Sequence, residues 1–347
     1  NRMPTYERLF KSAVVLEKDP EQVAELPARQ IRKVASFPLN SLDVSEDGKR
    51  LAWCGFMEEH IEVVDIASLE RVATCRYGGV TDLAFDPKGG RLALIGADPL
   101  VWDFANGIIG QLEDTEPGVY KTAAFTKDSS TVLSAGHRDR LVAWNAQSRR
   151  IDWRQQESGD VLSIDVSYDG QLVAVCCGSE GVRVRDVESG DAVGSFAGVR
   201  SADQTPALPG EVKVPIDVCF SPTENLCAVL VHNREATGAL QCTVELWTYV
   251  SRDGDFVANH VGHLASPRKG TMNAITFSPD GGLIAMCGCF GRVLLFDVEG
   301  LELVAMCQHP DVDPLDVLDL YETFCADFGQ GGAVLATGHL DGSIVVW

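Results

Sequence analysis

Short apolar runs alternate with polar turns along most of the chain, and one order of runs returns seven times. The aligned segments are LDVSEDGKRLAWCG from Leu42, LAFDPKGGRLALIG from Leu83, AAFTKDSSTVLSAG from Ala123, IDVSYDGQLVAVCC from Ile164, VCFSPTENLCAVLV from Val218, ITFSPDGGLIAMCG from Ile275 and ADFGQGGAVLATG from Ala326. Each opens on a short apolar strand that ends in Val or Phe, and a turn of the Ser-Pro-Asp-Gly kind follows. A second apolar strand comes next and usually closes on a small residue and Gly. Proline presets φ, Asp bonds its own backbone and Gly accepts positive φ, so each unit predicts a hairpin. A third, alternating strand follows in every unit: HIEVVD, PLVWD, RLVAWN, GVRVRD, TVELWT, RVLLFD and SIVVW. Six of these seven end on a large residue followed by Asp, Asn or Thr.

The strand-ending anchors Val44, Phe85, Phe125, Val166, Phe220, Phe277 and Phe328 lie 41, 40, 41, 54, 57 and 51 residues apart. The longer gaps hold a Pro/Gly/Ser loop at 198–214, a polar insertion at 232–241 and an acidic loop at 309–320. A fixed period of this size marks a repeat architecture.

The repeat resembles the WD40 family over roughly residues 30–347. In the seventh unit, LATGHLDGSIVVW, the residues Thr337, Asp341 and Trp347 stand where that family places the strand hydroxyl, the turn aspartate and the tryptophan of its hydrogen-bonded tetrad. Trp102-Asp103 is a literal WD pair, and Gly262-His263 resembles the GH dipeptide that leads into a blade. Elsewhere the pattern is eroded, as at Val64-Asp65, Arg185-Asp186 and Phe296-Asp297. The resemblance implies an all-β, seven-bladed WD40-like β-propeller with a short N-terminal helical extension. The chain stops at the third strand of its seventh unit. The fourth is therefore expected from residues 31–37 (IRKVASF), which would leave no sheet edge open there. The domains read as 1–29, an extension, and 30–347, the propeller. Tyr6, Leu9, Phe10, Val14 and Leu16 have mostly helical spacing, and EQVAEL at 21–26 is expected to begin a second turn. That helix either packs on the ring or binds a partner in a groove, with Tyr6, Leu9 and Phe10 as candidate contacts.

Charge narrows the partners. Asp and Glu number 50 against 29 Lys and Arg, a net charge of −21, which disfavours direct nucleic-acid binding. Residues 293–347 carry ten acids and no Lys or Arg, so a basic protein surface is the expected partner of the acidic edge formed by Asp311, Asp313, Asp316 and Asp319. These four lack the central glycine of a calcium loop. No apolar run approaches the ~18 residues of a membrane span. The start without Met and the stop at Trp347 suggest that flanking residues are missing. Eleven cysteines, an odd number without framework spacing, point to a reducing intracellular compartment, cytoplasmic or nuclear.

Chemistry-bearing motifs are sparse. His137-Arg138-Asp139 copies the start of a kinase catalytic loop, but Asn145 falls one residue too late and no phosphate loop accompanies it; Asp139 reads as a turn cap. Cys287-Gly-Cys289 and Cys176-Cys177 lack zinc spacing and read as core thiols. No nucleophile elbow, P-loop or dinucleotide fingerprint occurs, so no cofactor, metal or catalytic residue is expected. The innermost strands, with Leu42, Leu83, Ile164, Val218 and Ile275, predict an apolar channel lining, which speaks against a propeller enzyme. The expected function is a non-catalytic protein-interaction scaffold in a multiprotein complex. The alternative is the sensor or regulatory domain of a larger chain.

Overall fold

The computed structural model describes residues 23–35, 38–55, 58–113, 120–136, 140–196, 212–234, 240–252, 255–267, 270–312 and 322–347. Its strands form seven sheets, the blades of a β-propeller. Strands a to d run in chain order in blades 1 to 6. Blade 1 is Leu39–Val44, Arg50–Gly55, His60–Asp65 and Arg71–Arg76; blade 2 is Val80–Phe85, Arg91–Gly96, Leu100–Asp103 and Ile108–Gln111. Blade 3 is Tyr120–Phe125, Thr131–Gly136, Arg140–Asn145 and Ile151–Gln156; blade 4 is Ser163–Val166, Leu172–Cys176, Val182–Asp186 and Ala192–Ser195. Blade 5 is Val212–Phe220, Leu226–Arg234, Leu240–Arg252 and Asp255–Ala265; blade 6 is Met272–Phe277, Leu283–Gly288, Arg292–Asp297 and Glu302–Gln308. Blade 7 has Thr323–Gly329, Val334–His339 and Ser343–Val346, and takes Gln30–Lys33 as its strand d. Each strand a touches the strands a of both neighbours, which closes the ring around an axis.

The fourth strand of blade 7 is shorter than the expected 31–37. Gln30–Lys33 pairs antiparallel with Ser343–Val346, and Arg29, Val34 and Ala35 add backbone bonds to Val346 and Gly342. The helical reading of the extension fails in its described part. Ala24–Leu26 is a strand, parallel to Ala305–Cys307 on the outer edge of blade 6. The physical reason is that an edge strand offers a row of unpaired N–H and C=O groups, whereas a single helical turn leaves most of its own unsatisfied. Tyr6, Leu9, Phe10, Val14 and Leu16 lie outside the described residues. The polar insertion at 232–241 also differs from a plain loop. It lengthens the hairpin of blade 5, whose strands b and c pair out to Arg234 and Leu240.

Seven apolar clusters hold the ring, one between each pair of adjacent blades. The polar repeats are turn chemistry. At the a–b turns, Ser45, Thr126, Ser167 and Ser278 donate to Asp47, Asp128, Asp169 and Asp280 at 2.6–2.7 Å. The residue that closes strand c caps the c–d turn. Asp65 accepts from Ser68 N–H at 3.0 Å, Asn145 from Ser148 N–H at 2.8 Å and Asp186 from Ser189 N–H at 2.8 Å.

One a–b turn carries strain. Gly48, Gly89, Gly170 and Gly281 hold φ of 67–76° in blades 1, 2, 4 and 6, and blade 3 puts Ser129 there at 65°. The Ser129 hydroxyl is buried and has no hydrogen-bond partner among the described residues. Ser129→Gly relieves both faults at some cost in chain entropy, and is expected to raise stability by about 1 kcal/mol. The urea midpoint measures it; an unchanged or lower midpoint contradicts it.

Candidate functional site

The innermost strands are not simply apolar, which corrects the expected lining. Leu42, Leu83, Ile164, Val218 and Ile275 are buried in the clusters between blades. The alternate positions of the innermost strands carry Asp43, Asp82, Asp165, Asp217 and Asp327. Successive side chains of a strand point to opposite faces, so a reading of every other residue misses them.

Each of these carboxylates reaches across to the next blade. Asp43 accepts from Phe85 N–H at 2.5 Å, Asp82 from Ala123 N–H at 2.8 Å and Asp165 from Phe220 N–H at 2.7 Å. Asp217 accepts from Ile275 N–H at 2.8 Å, and Asp327 from Val44 N–H at 2.9 Å. Asp43, Asp165, Asp217 and Asp327 also accept the N–H of the residue that follows in their own strand. Five of the seven seams are bridged in this way. Between blades 6 and 7, Asn273 Nδ2 donates to the Thr323 carbonyl at 3.0 Å, and the Thr276 hydroxyl donates to Asp327 at 3.2 Å. Burial pushes Asp82, Asp165 and Asp217 from the usual carboxylate range up to about 6. The chemistry is that of a fastening: the oxygens are occupied by backbone donors.

The seam between blades 3 and 4 is built otherwise. Blade 3 has no acid in strand a. Instead Arg185 of blade 4 donates through Nε to Glu157 at 2.5 Å, and through its other nitrogens to the Gly190 carbonyl at 2.9 Å and the Gln156 carbonyl at 3.3 Å. Both side chains are almost fully buried, and Arg183 stands 3.6 Å from the same carboxylate. Arg185 holds the strand-c position that Trp102 and Trp144 hold in blades 2 and 3.

In blade 7, Trp347 Nε1 donates to Thr337 Oγ1 at 3.0 Å, and that hydroxyl lies 2.8 Å from His339 Nε2. Asp341 accepts from Ser343 N–H at 2.9 Å and from its hydroxyl at 2.6 Å, and Ser343 Oγ lies 3.2 Å from His309 Nε2. The His309 and His339 rings meet edge to face at 4.7 Å. Thr337, Asp341 and Trp347 thus share one network of packed and hydrogen-bonded groups, joined by two histidines that the repeat pattern does not single out. Gly262-His263 does not lead into a blade; it lies inside strand d of blade 5, where Gly262 packs on Leu301.

Of the acidic edge, Asp311 is described and its N–H donates to His309 Nδ1 at 3.2 Å; Asp313, Asp316 and Asp319 lie outside the described residues, as do His137, Arg138 and Asp139. A different acidic feature is present: a cleft of about 800 Å³ between blades 3 and 4, lined by Asp128, Asp152, Asp169, Asp186 and Glu188 with Lys127 and Trp153. The Thr126 hydroxyl and the Ser130 donors hold Asp128 below the usual carboxylate range, so it is anionic at neutral pH. Nine of the eleven cysteines are buried. Burial pushes the thiols of Cys54, Cys176 and Cys287 far upward. Among the described residues no group of three or more His, Cys, Asp or Glu is placed to hold a metal ion, and no helix is long and apolar enough to cross a membrane.

No protein-family model matches the chain, and no curated protein matches it.

Proposed function

We propose that the chain is a non-catalytic scaffold of WD40-like type that holds other proteins in a complex within a reducing compartment. The observation that carries this is the cleft between blades 3 and 4, whose lining includes five carboxylates, one lysine and Trp153. Such a surface suits a basic segment of a partner, with the ring as its rigid support. The carboxylates nearest the axis support the non-catalytic side, because backbone donors already occupy them. The acidic edge of Asp311, Asp313, Asp316 and Asp319 is a second candidate contact for the same class of partner.

Affinity purification of the full chain with mass spectrometry tests the reading. Stoichiometric protein subunits are expected. Asp152→Asn with Glu188→Gln removes two cleft charges and is expected to slow association with those subunits several-fold and to flatten its salt dependence. A monomer that turns over a small molecule overturns the scaffold. Unchanged association kinetics in the double variant overturns the cleft as its surface.

A further inference from the structure

At the seam between blades 7 and 1 the fastening differs from the other four. Asp43 Oδ1 lies 3.0 Å, and Asp327 Oδ2 2.9 Å, from one and the same donor, Val44 N–H. Asp43 turns its second oxygen to Phe85 N–H, and Asp327 turns its second to Phe328 N–H and the Thr276 hydroxyl. One N–H thus faces two carboxyl groups from adjacent blades, each within 3.0 Å of the same nitrogen. Asp82, Asp165 and Asp217 each bridge to an N–H of their own, those of Ala123, Phe220 and Ile275.

We propose that Asp43 and Asp327 hold a single proton between them, and that this shared proton latches the ring at the seam between blades 7 and 1. With the proton in place, the Asp43 O–H donates to the Asp327 carboxylate. When it leaves to solvent, two negative charges remain in contact across the seam and push the blades apart. Two carboxylates this close do not both ionise cheaply.

The surrounding groups do not relieve that repulsion. Strand a of blade 2 brings Asp82, itself an acid. Asp165 adds its charge from blade 4, and Lys127 faces Asp165. Strand b of blade 1 and strand a of blade 7 bring the thiols Cys54 and Cys325, which burial keeps protonated. Strand a of blade 6 has no ionisable residue and offers the Thr276 hydroxyl. Arg50 at the start of strand b of blade 1 is turned to the Gly89 carbonyl, and His339 of blade 7 to Thr337 and Thr323. Burial, then the facing Asp327, holds Asp43 well above the usual carboxylate range. The unfolded chain has both acids near 3.9. The native state therefore keeps a proton that the unfolded chain releases. This contribution is complete below the unfolded value and is lost as pH rises through the pair's own folded value.

Thermal unfolding of the full chain from pH 5 to pH 9 tests it, with D43N, D327N and D165N in parallel. Asn at 43 supplies a permanent N–H donor to Asp327 in place of the proton. The wild-type Tm is expected to fall by about 2–4 °C more than that of D43N between pH 6.5 and pH 9. D165N, which alters a lone carboxylate, is expected to retain the wild-type slope over that range. A gap between wild type and D43N that does not change with pH overturns the shared proton. Should D43N not fold, hydrogen exchange of the wild type decides. Strands a of blades 1 and 7 are expected to lose protection from pH 6.5 to 9, after correction for intrinsic rates, relative to strand a of blade 3, which has no acid. Equal change in all three overturns the proposal.

Discussion

Removing residues 1–33 is expected to abolish cooperative unfolding. The deletion takes away strand d of blade 7 and leaves Ser343–Val346 as an open edge. It also removes the Arg32 guanidinium, which donates to the Leu69 carbonyl at 2.6 Å and lies 3.6 Å from Glu62, and so ties blade 7 to blade 1. The cluster behind this seam holds Leu39, Leu42, Trp53, Ile344 and Val346, and loses its cover on one side. A ring stabilised by neighbour contacts fails as a whole when one contact opens. Among the described residues, removing 1–28 takes the three-residue strand on blade 6 together with Val23 and Ala28, which pack on two of the clusters, and is expected to lower Tm by a few degrees with the transition intact. Circular dichroism and melting of both truncations measure this. A cooperative transition in the chain that begins at Val34 contradicts the closure.

Glu157→Ala is expected to cost about 3–5 kcal/mol, because it leaves the buried Arg185 guanidinium without its counter-charge. The Arg185 side chain is 7% exposed and that of Glu157 0%, so water cannot replace the lost partner. The double variant Glu157→Leu with Arg185→Met is expected to lose less than Glu157→Ala alone, since neither side chain then carries a buried charge. Urea denaturation of the single and double variants measures the difference. A single variant within about 1 kcal/mol of the wild type shows that the pair is solvated and that the seam rests on its apolar cluster.

The seven-fold repeat is legible because its turns are local chemistry: Asp47, Asp128, Asp169 and Asp280 cap turns within two residues of themselves. Strand-ending anchors are legible for the same reason. The axial carboxylates stand in plain view, in LDV at 43, IDV at 165 and ADF at 327, and at 82 and 217 two residues earlier relative to the anchor. They escape a reading that follows only the apolar half of an alternating strand. Their partners also lie far off in another blade, 41 residues away for Asp82, 58 for Asp217 and 283 for Asp327. Arg185 reads only as an eroded tryptophan position; its partner Glu157 is 28 residues upstream and no local pattern joins the two. The strand Ala24–Leu26 is illegible in principle, since EQVAEL has no strong period and its fate is set by the vacant edge of blade 6.

The closing strand also sets a schedule. Lys33 pairs with Ser343, so 310 residues of chain separate the two partners. A ribosome adding about 5–20 residues per second takes roughly 15–60 s to cover that distance. Through that interval the segment around Gln30–Lys33 has no blade 7 to join, while blades 1 to 6 emerge in order and can bury each shared cluster once its second blade is complete. The early blades must hold themselves as an open arc with two unsatisfied faces. Such an arc exposes the two faces that the seams of blade 7 later cover, so two arcs can pair with each other rather than close on themselves.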